Sequence, residues 1–274
     1  MEKRAKQSKV FDAFRLDGKV AIVTGASQWL GWDAACALAE AGSDIVITSR
    51  ELQRAEEAAE ALQSDYTCDV LPLSLDQRDH DQVKRMARDA QAWKGHIDIL
   101  VNNAGGGSGR GACNLFKRNP EDTVNLIHIN LIGALFCCQE VARVMAEQGS
   151  GKIINIASIA GLIGRDRRMY HRNQKEEQPI DYAAAKAGII GMTRDLAGLL
   201  TPRGIHVNAI SPGGFDHGDL PEGFVKDYNS ETMIARMGRM GVDLKGAVLF
   251  LASPASDYVT GHNLVVDGGF SVWK

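Results

Sequence analysis

The sequence predicts an α/β fold: one doubly wound parallel sheet of seven strands, with helices on both faces, in a single domain. Three observations predict it. Seven short apolar, β-branched runs recur along the chain, longer stretches with apolar residues at helical spacing separate them, and no linker interrupts the alternation. The 274 residues, 45% of them hydrophobic, suffice to close one large core.

Taken in order, the candidate strands are KVAIVT (19–24), DIVITS (44–49), VLPLSL (70–75), IDILVN (97–102), KIINIA (152–157), IHVNAI (205–210) and NLVVD (263–267). The stretches 34–42, 51–63, 80–93, 121–148, 181–200 and 243–253 carry the helical period. Right-handed crossovers then bring the carboxyl ends of the strands to one edge, where a ligand binds. Two segments break the rhythm on that edge: an Arg-rich insertion at about 165–178, expected to lie outside the core, and a Gly- and Pro-bearing segment at about 214–240 with a helix-like second half. Both are candidates to cover a site. Residues 1–15 are charged, lack the apolar core of a secretory signal, and read as a mobile extension or an arm on a neighbouring subunit; the domain proper is 16–274.

Composition narrows the function classes. Thirty-one basic residues against 34 acidic give a net charge of -3, with no general attraction for nucleic acid or an anionic membrane. A run of about 18 apolar residues, as a membrane span needs, is absent. The five cysteines show no paired metal-ligand spacing, which argues against a metal site and for reduced thiols in a cytoplasmic protein. Small molecules and copies of the same chain are the expected partners.

Two local patterns carry chemistry. After the first strand, TGASQWLGWDAA (24–35) leads into a helix, and Gly25 and Gly31 fit a tight turn that offers helix N–H groups and partial positive charge to a phosphate. Tyr182 and Lys186 stand four apart on a helix and so reach one volume. A phenol near pKa 10 is a poor acid–base group at neutral pH unless a nearby ammonium favours the phenolate. Taken singly, such residues have plainer roles: a packed ring, a solvated amine, a turn serine at Ser158, an Asn130 bonded within its own helix.

Their joint order reverses that reading. TGxxxGxG with Trp29 at the middle glycine, NNAG at 102–105, Asn130, Ser158, YAAAK at 182–186, SPGGF at 211–215 and VVDGG at 265–269 together resemble the short-chain dehydrogenase/reductase family, over roughly residues 16–272. The resemblance implies a Rossmann-like sheet and NAD(P)-dependent interconversion of a secondary alcohol and a ketone. It implies Tyr182 as acid–base residue, Ser158 positioning the substrate oxygen, Lys186 also binding ribose hydroxyls, and Asn130 holding a proton-relay water. It further implies a cofactor site from Gly25, Ser27, Gln28, Trp29, Leu30 and Gly31, with Ser49, Arg50, Asp76, Asn103, Ala104, Gly105, Pro212 and Gly213, Asp76 facing the adenine. Homotetramers are common in the family.

Several expectations stay open here. Trp29 either lies over the turn with its ring outward and binding kept, or remodels the turn so that cofactor binds poorly. Ser49 and Arg50 resemble the NADP-preferring pattern, while Gln28 and Glu51 leave NAD possible. Ser158 and Tyr182 are 24 apart, about twice the family's usual spacing. Tyr170 lies at that usual distance, but Gln174 follows in place of Lys, in a segment without helical periodicity, so Tyr170 is rejected. The basic insertion could clamp a substrate carboxylate or phosphate, and Asp216, His217 and Asp219 could bond sugar hydroxyls. The substrate is expected to be a polyol, sugar or sugar acid. The alternatives are a 3-oxoacyl-thioester reductase and a fold-retaining protein whose cofactor binding is lost through Trp29.

Overall fold

Apolar runs separated by ten or more residues cannot close hairpins, so they pair in parallel through crossovers. In the computed structural model, which describes residues 9–107 and 111–272, all seven runs become strands of one sheet. The first half comprises β1 (Val20–Val23), α1 (Trp29–Glu40), β2 (Asp44–Ser49), α2 (Leu52–Asp65), β3 (Val70–Ser74), α3 (His80–Lys94) and β4 (Ile99–Asn102). Then come α4 (Pro120–Ile127), α5 (Gly133–Gln148), β5 (Gly151–Ile156), α6 (Arg167–Arg172), α7 (Ile180–Leu200) and β6 (Ile205–Pro212). The chain closes with β7 (Phe215–Asp216), α8 (Glu222–Ser230), β8 (Gly238–Arg239), α9 (Lys245–Ala252) and β9 (Asn263–Val266).

The sheet order is β3-β2-β1-β4-β5-β6-β9, every pairing parallel. From β1 the chain winds outward to β3, then returns to start the other half at β4, so the order reverses between β1 and β4. Helices α1, α2 and α9 cover one face through small residues such as Ala35, Ala55 and Ala59 with Leu251; α3, α5 and α7 cover the other through Val83, Met86, Val141 and Leu200. Cys137 and Cys138 are both buried in that second core and both free.

One polar ladder runs through the apolar interior. Asn102 Nδ2 donates to Asn155 Oδ1 (2.9 Å), Asn155 Nδ2 donates to Thr193 Oγ1 (3.0 Å), and Thr193 donates to Ile189 O (2.8 Å). It ties β4 and β5 to α7, the helix that carries Tyr182 and Lys186.

The structure differs from the sequence expectation in three places. The helical stretch 121–148 is divided by a π-helical turn, His128–Ile132, centred on Asn130. The insertion is not wholly outside a core. It contains α6, and Met169 is buried with Phe224, Tyr228, Met237 and Phe270 in a small second core that joins it to the 214–240 segment. Six residues are too short for helical periodicity to be read from sequence, which is why α6 escaped it. Of the amino-terminal extension, Val10–Phe14 forms a 3-10 turn with Phe11 exposed; residues 1–8, like the terminal Trp273 and Lys274, lie outside the described residues.

Asn155→Val removes the middle rung of the ladder and leaves buried amide and hydroxyl groups short of partners. It is expected to destabilise the apoprotein by about 2 kcal/mol, read as a lower urea midpoint at unchanged slope; an unchanged midpoint would contradict the ladder's structural role.

Candidate active site

Parallel strands on either side of a reversal leave a crevice at their carboxyl ends. Here its floor is fixed by Thr24, the residue after β1. The Thr24 hydroxyl accepts from the backbone N–H groups of Asn103 and Ala104 (3.0 Å each), and Asn103 Nδ2 donates to Thr24 O and Gly25 O (3.0 Å each). Contact is so close that a Cβ on Gly25 would lie 2.9 Å from Ala104 Cα, and one on Gly31 would run into the Asn103 amide. Glycine is therefore required at both positions. Above them α1 starts with Gln28 as a cap that makes no side-chain bond, so its first N–H groups are left to the crevice.

Trp29 occupies the first position of α1 with φ +56°, the left-handed conformation that glycine takes freely and a bulky residue resists. Trp29 thus adopts a backbone conformation in which a glycine would be unstrained. The indole stands at the rim, 47% exposed, with its ring centroid 4.5 Å from that of His217 in the segment after β7. It bridges the turn and the covering segment.

Every residue expected for catalysis or cofactor binding lines one cleft of about 680 Å³. At one end lie Ser49, Arg50 and Asp76. The sequence reading missed Arg54 and Arg78, which line the same end. Arg54 stands one helical turn after Arg50 and holds Glu51 at 3.0 Å, moderating that negative charge; Arg78 binds Asp76 and donates to Asn125 Oδ1 (2.8 Å). Its guanidinium keeps the Asp76 carboxyl below the usual range. Arg50 forms no ion pair among the described residues, though its charge also helps to lower the Asp76 carboxyl.

At the other end Ser158, Tyr182, Lys186 and Asn130 meet, beside Pro212 and Gly213. Pro179 caps α7, which places Tyr182 in its first turn and Lys186 one turn on. A buried ion pair, Arg118 with Asp181 at 2.7 Å, fixes that first turn to the segment before α4. Asn130, buried within the π-helical turn, accepts from Gly106 N (2.9 Å) and donates to Gly106 O (3.0 Å) and Leu126 O (3.1 Å). Its side chain thereby clamps the backbone after NNAG. The helix-internal bond to Leu126 was the plainer role; the clamp is additional.

The electrostatics differ from the sequence expectation. Burial raises the Tyr182 phenol, opposed by the Ser158 hydroxyl that hydrogen-bonds it and by the Arg165 cation of the insertion. Lys186 is not the cation that opposes this rise. Its ammonium donates to Ile156 O at 2.7 Å, 5.7 Å from the Tyr182 ring centroid, and burial lowers it to about 8. Of the hydroxyl-binding candidates, His217 and Asp219 pair with each other and line the cleft, whereas Asp216 accepts from Gly218 N (2.9 Å) and lies outside the lining. Tyr170 packs edge-on against Phe224, with ring centroids 5.1 Å apart, in the second core.

A family model described as enoyl-(acyl carrier protein) reductase matches residues 25–271. The chain belongs to the short-chain dehydrogenase/reductase family. Among family members it is similar to 2-dehydro-3-deoxy-D-gluconate 5-dehydrogenase of Escherichia coli, 38% identical over 95% of this chain and 98% of the relative. It is also similar to a 3-oxoacyl-(acyl-carrier-protein) reductase of Thermotoga maritima, 34% identical over 94% of this chain and 100% of the relative. The crystal structure of a gluconate 5-dehydrogenase from Burkholderia cenocepacia, in complex with NADP and tartrate, superposes with a TM-score of 0.85, at 34% identity over 96% of this chain and 99% of that one. The protein is an oxidoreductase acting on CH–OH groups, in a family that uses NAD(P).

Two outcomes follow from this geometry. Trp29→Gly relieves the left-handed backbone, whereas Trp29→Ala keeps the strain and loses the ring. The glycine variant is expected to be the more stable by about 1 kcal/mol, the reverse of the usual order in a helix; thermal unfolding checks it. Lys186 releases its proton from the folded state at about 8 and from the unfolded chain near 10.5. Between those values the unfolded chain binds more protons, so this group's contribution to stability rises with pH, while below about 8 the penalty of the buried charge is fully present. Relative to Lys186→Met, the wild-type apoprotein is expected to gain roughly 2–3 kcal/mol between pH 8 and pH 10. A gap that does not vary with pH in denaturant titrations would contradict the buried, depressed ammonium.

Proposed function

We propose that the protein is an NADP-preferring dehydrogenase that interconverts a secondary alcohol and a ketone on a polyol, sugar or sugar acid. The observation that carries this reading is the single cleft with three guanidinium groups, Arg50, Arg54 and Arg78, at one end and Ser158, Tyr182 and Lys186 at the other. The glycine turn and the uncapped start of α1 between them fit a pyrophosphate, and Arg50 suits a 2'-phosphate. When bound, the nicotinamide supplies the hydride acceptor or donor.

This chain's own residues move the proton. In oxidation the Tyr182 oxygen accepts it from the substrate hydroxyl; in reduction the phenol returns it to the carbonyl oxygen. Ser158 hydrogen-bonds the same substrate oxygen and orients it. Lys186, charged at neutral pH, favours the phenolate once the cleft is filled and holds ribose hydroxyls. Asn130 sets the backbone at Gly106 beside them and offers a relay water a place. The 214–240 segment, pinned to the insertion through the second core, covers the substrate, with His217 and Asp219 facing its hydroxyls. Copies of the chain associate as a homotetramer, which the exposed Val124 and Leu135 on α4 and α5 favour as contact surface.

The thioester alternative needs an open basic patch for an acidic carrier. Arg167, Arg168 and Arg172 of the insertion are each engaged by a carboxylate, which weighs against it.

The test is steady-state oxidation of polyols and sugar acids with NADP+ and NAD+. NADP+ is expected to give the higher kcat/KM. Tyr182→Phe is expected to lower kcat by about 100-fold or more with NADPH affinity kept. Arg50→Ala is expected to weaken NADPH about tenfold and leave NADH unchanged. Reduction of an acetoacetyl thioester, with no turnover of any polyol or sugar acid, would overturn the reading.

A further inference from the structure

The insertion holds four arginines, and three of them are neutralised where they stand. Arg167 pairs with Glu177, Arg168 with Asp166 at 2.8 Å, and Arg172 with Asp227 of α8 at 2.6 Å. Its lysine, Lys175, lies over the Phe224 ring, 5.3 Å from the centroid. Arg165 is different. Its guanidinium forms no ion pair among the described residues, although the Glu177 carboxylate, held by Arg167, is near enough to favour its charge. It donates instead to neutral oxygens of Gln178, the side-chain Oε1 at 2.8 Å and the backbone O at 3.3 Å. Those two bonds leave the remaining N–H groups of the fork without a protein partner among the described residues.

Its position is as telling as its lack of an anion. The Arg165 Cζ lies 5.6 Å from the centroid of the Tyr182 ring. Gln178, which holds it, is packed near Gly107, and Gly107 in turn lies against the same tyrosine ring. The residue is half-buried, so its charge is only partly relieved by water. A fixed, partly desolvated guanidinium with unused donors matches the planar, bidentate geometry of a carboxylate. The guanidinium stands over the Tyr182 ring, behind the residues that line the cleft, so a short carbon chain whose oxidised carbon sits at Tyr182 would reach it with its acid group past the edge of that ring.

We infer that Arg165 anchors a carboxylate of the substrate, so that the enzyme acts on hydroxy acids and the corresponding keto acids in preference to neutral polyols. The inference rests on the dehydrogenase reading of the same cleft and narrows its substrate class. A neutral CH2OH group in place of the carboxylate leaves the guanidinium buried without its anion, and a site built for a charged partner rejects such an analogue strongly. The insertion thereby acquires a reason to lengthen the Ser158 to Tyr182 spacing: it brings a second cation to the ring beside Lys186.

The experiment compares D-gluconate with D-glucitol, and D-mannonate with D-mannitol, using the full chain at saturating NADP+. Wild type is expected to favour each acid in kcat/KM. Arg165→Met is expected to raise KM for the acids by about tenfold to hundredfold, with KM for the polyols changed less than about threefold, and NADPH binding unchanged. Removing the cation also alters the Tyr182 environment, but that effect falls on kcat for all four compounds and leaves the acid-to-polyol ratio untouched. Arg165→Lys keeps the charge and is expected to restore part of the ratio; Arg168→Met, on the exposed Asp166 pair, is expected to leave it at the wild-type value. An acid-to-polyol ratio unchanged in Arg165→Met, or a wild type that takes polyols as well as acids, would overturn the inference while the dehydrogenase reading stands. No turnover of any of the four by protein that binds NADPH would overturn both.

Discussion

The rest of the structure depends on how closely the ends of β1 and β4 approach at the reversal of strand order. One hydroxyl, that of Thr24, accepts two backbone N–H groups of the NNAG segment, and Asn103 returns two bonds to the turn. That four-bond junction excludes a Cβ at Gly25 and at Gly31. It also aims the start of α1 into the crevice. Strand order makes a crevice at this edge in any doubly wound sheet; the junction sets its shape here. A tryptophan is tolerated within it because the constraint acts on the backbone: Trp29 accepts the left-handed φ, and its ring goes to the rim, where it finds His217.

The reaction end is built on the same principle of fixing backbone first. The Asn102–Asn155–Thr193 ladder and the Arg118–Asp181 pair hold α7, and the Asn130 amide holds the loop opposite it. Side chains with difficult protonation states are then set on that frame. Burial raises the Tyr182 phenol and lowers the Lys186 ammonium, which pushes both toward their neutral forms. For Tyr182 the nearby Arg165 charge works against that drift. The insertion and the covering segment meet the frame together, because Met169, Phe224 and Tyr228 share one small core and Arg172 reaches across to Asp227.

Much of this was legible in the sequence, for identifiable reasons. Inner strands buried on both faces must be continuous apolar runs, so those five announced themselves, and the half-buried edge strands β3 and β9 kept enough of the pattern to be read. Tyr182, Lys186, Ser158 and Asn130 were legible because their order along the chain is shared with a family. What stayed hidden depends on the third dimension. The φ of Trp29 cannot be read from its identity. Arg54 and Arg78 reach the cleft from two elements whose ends meet only in the folded sheet, although the four-residue step from Arg50 to Arg54 was a signal available beforehand. In this state the Lys186 ammonium does not offset the rise of the Tyr182 phenol, because spacing along a helix gives proximity but not the desolvation that outweighs it. The insertion's net basic charge suggested an open anion patch; pairing leaves Arg165 as the arginine there without an ion pair among the described residues.

The most direct test of the account is equilibrium titration of the purified protein with NADPH, and then NADH, followed by quenching of tryptophan fluorescence and energy transfer to the reduced nicotinamide. Saturable binding is expected, tighter for NADPH, with a quenched component that disappears in a variant lacking the Trp29 ring. Absence of saturable binding for either nucleotide would contradict it, since the turn would then be closed by the residue that is here assigned to its rim.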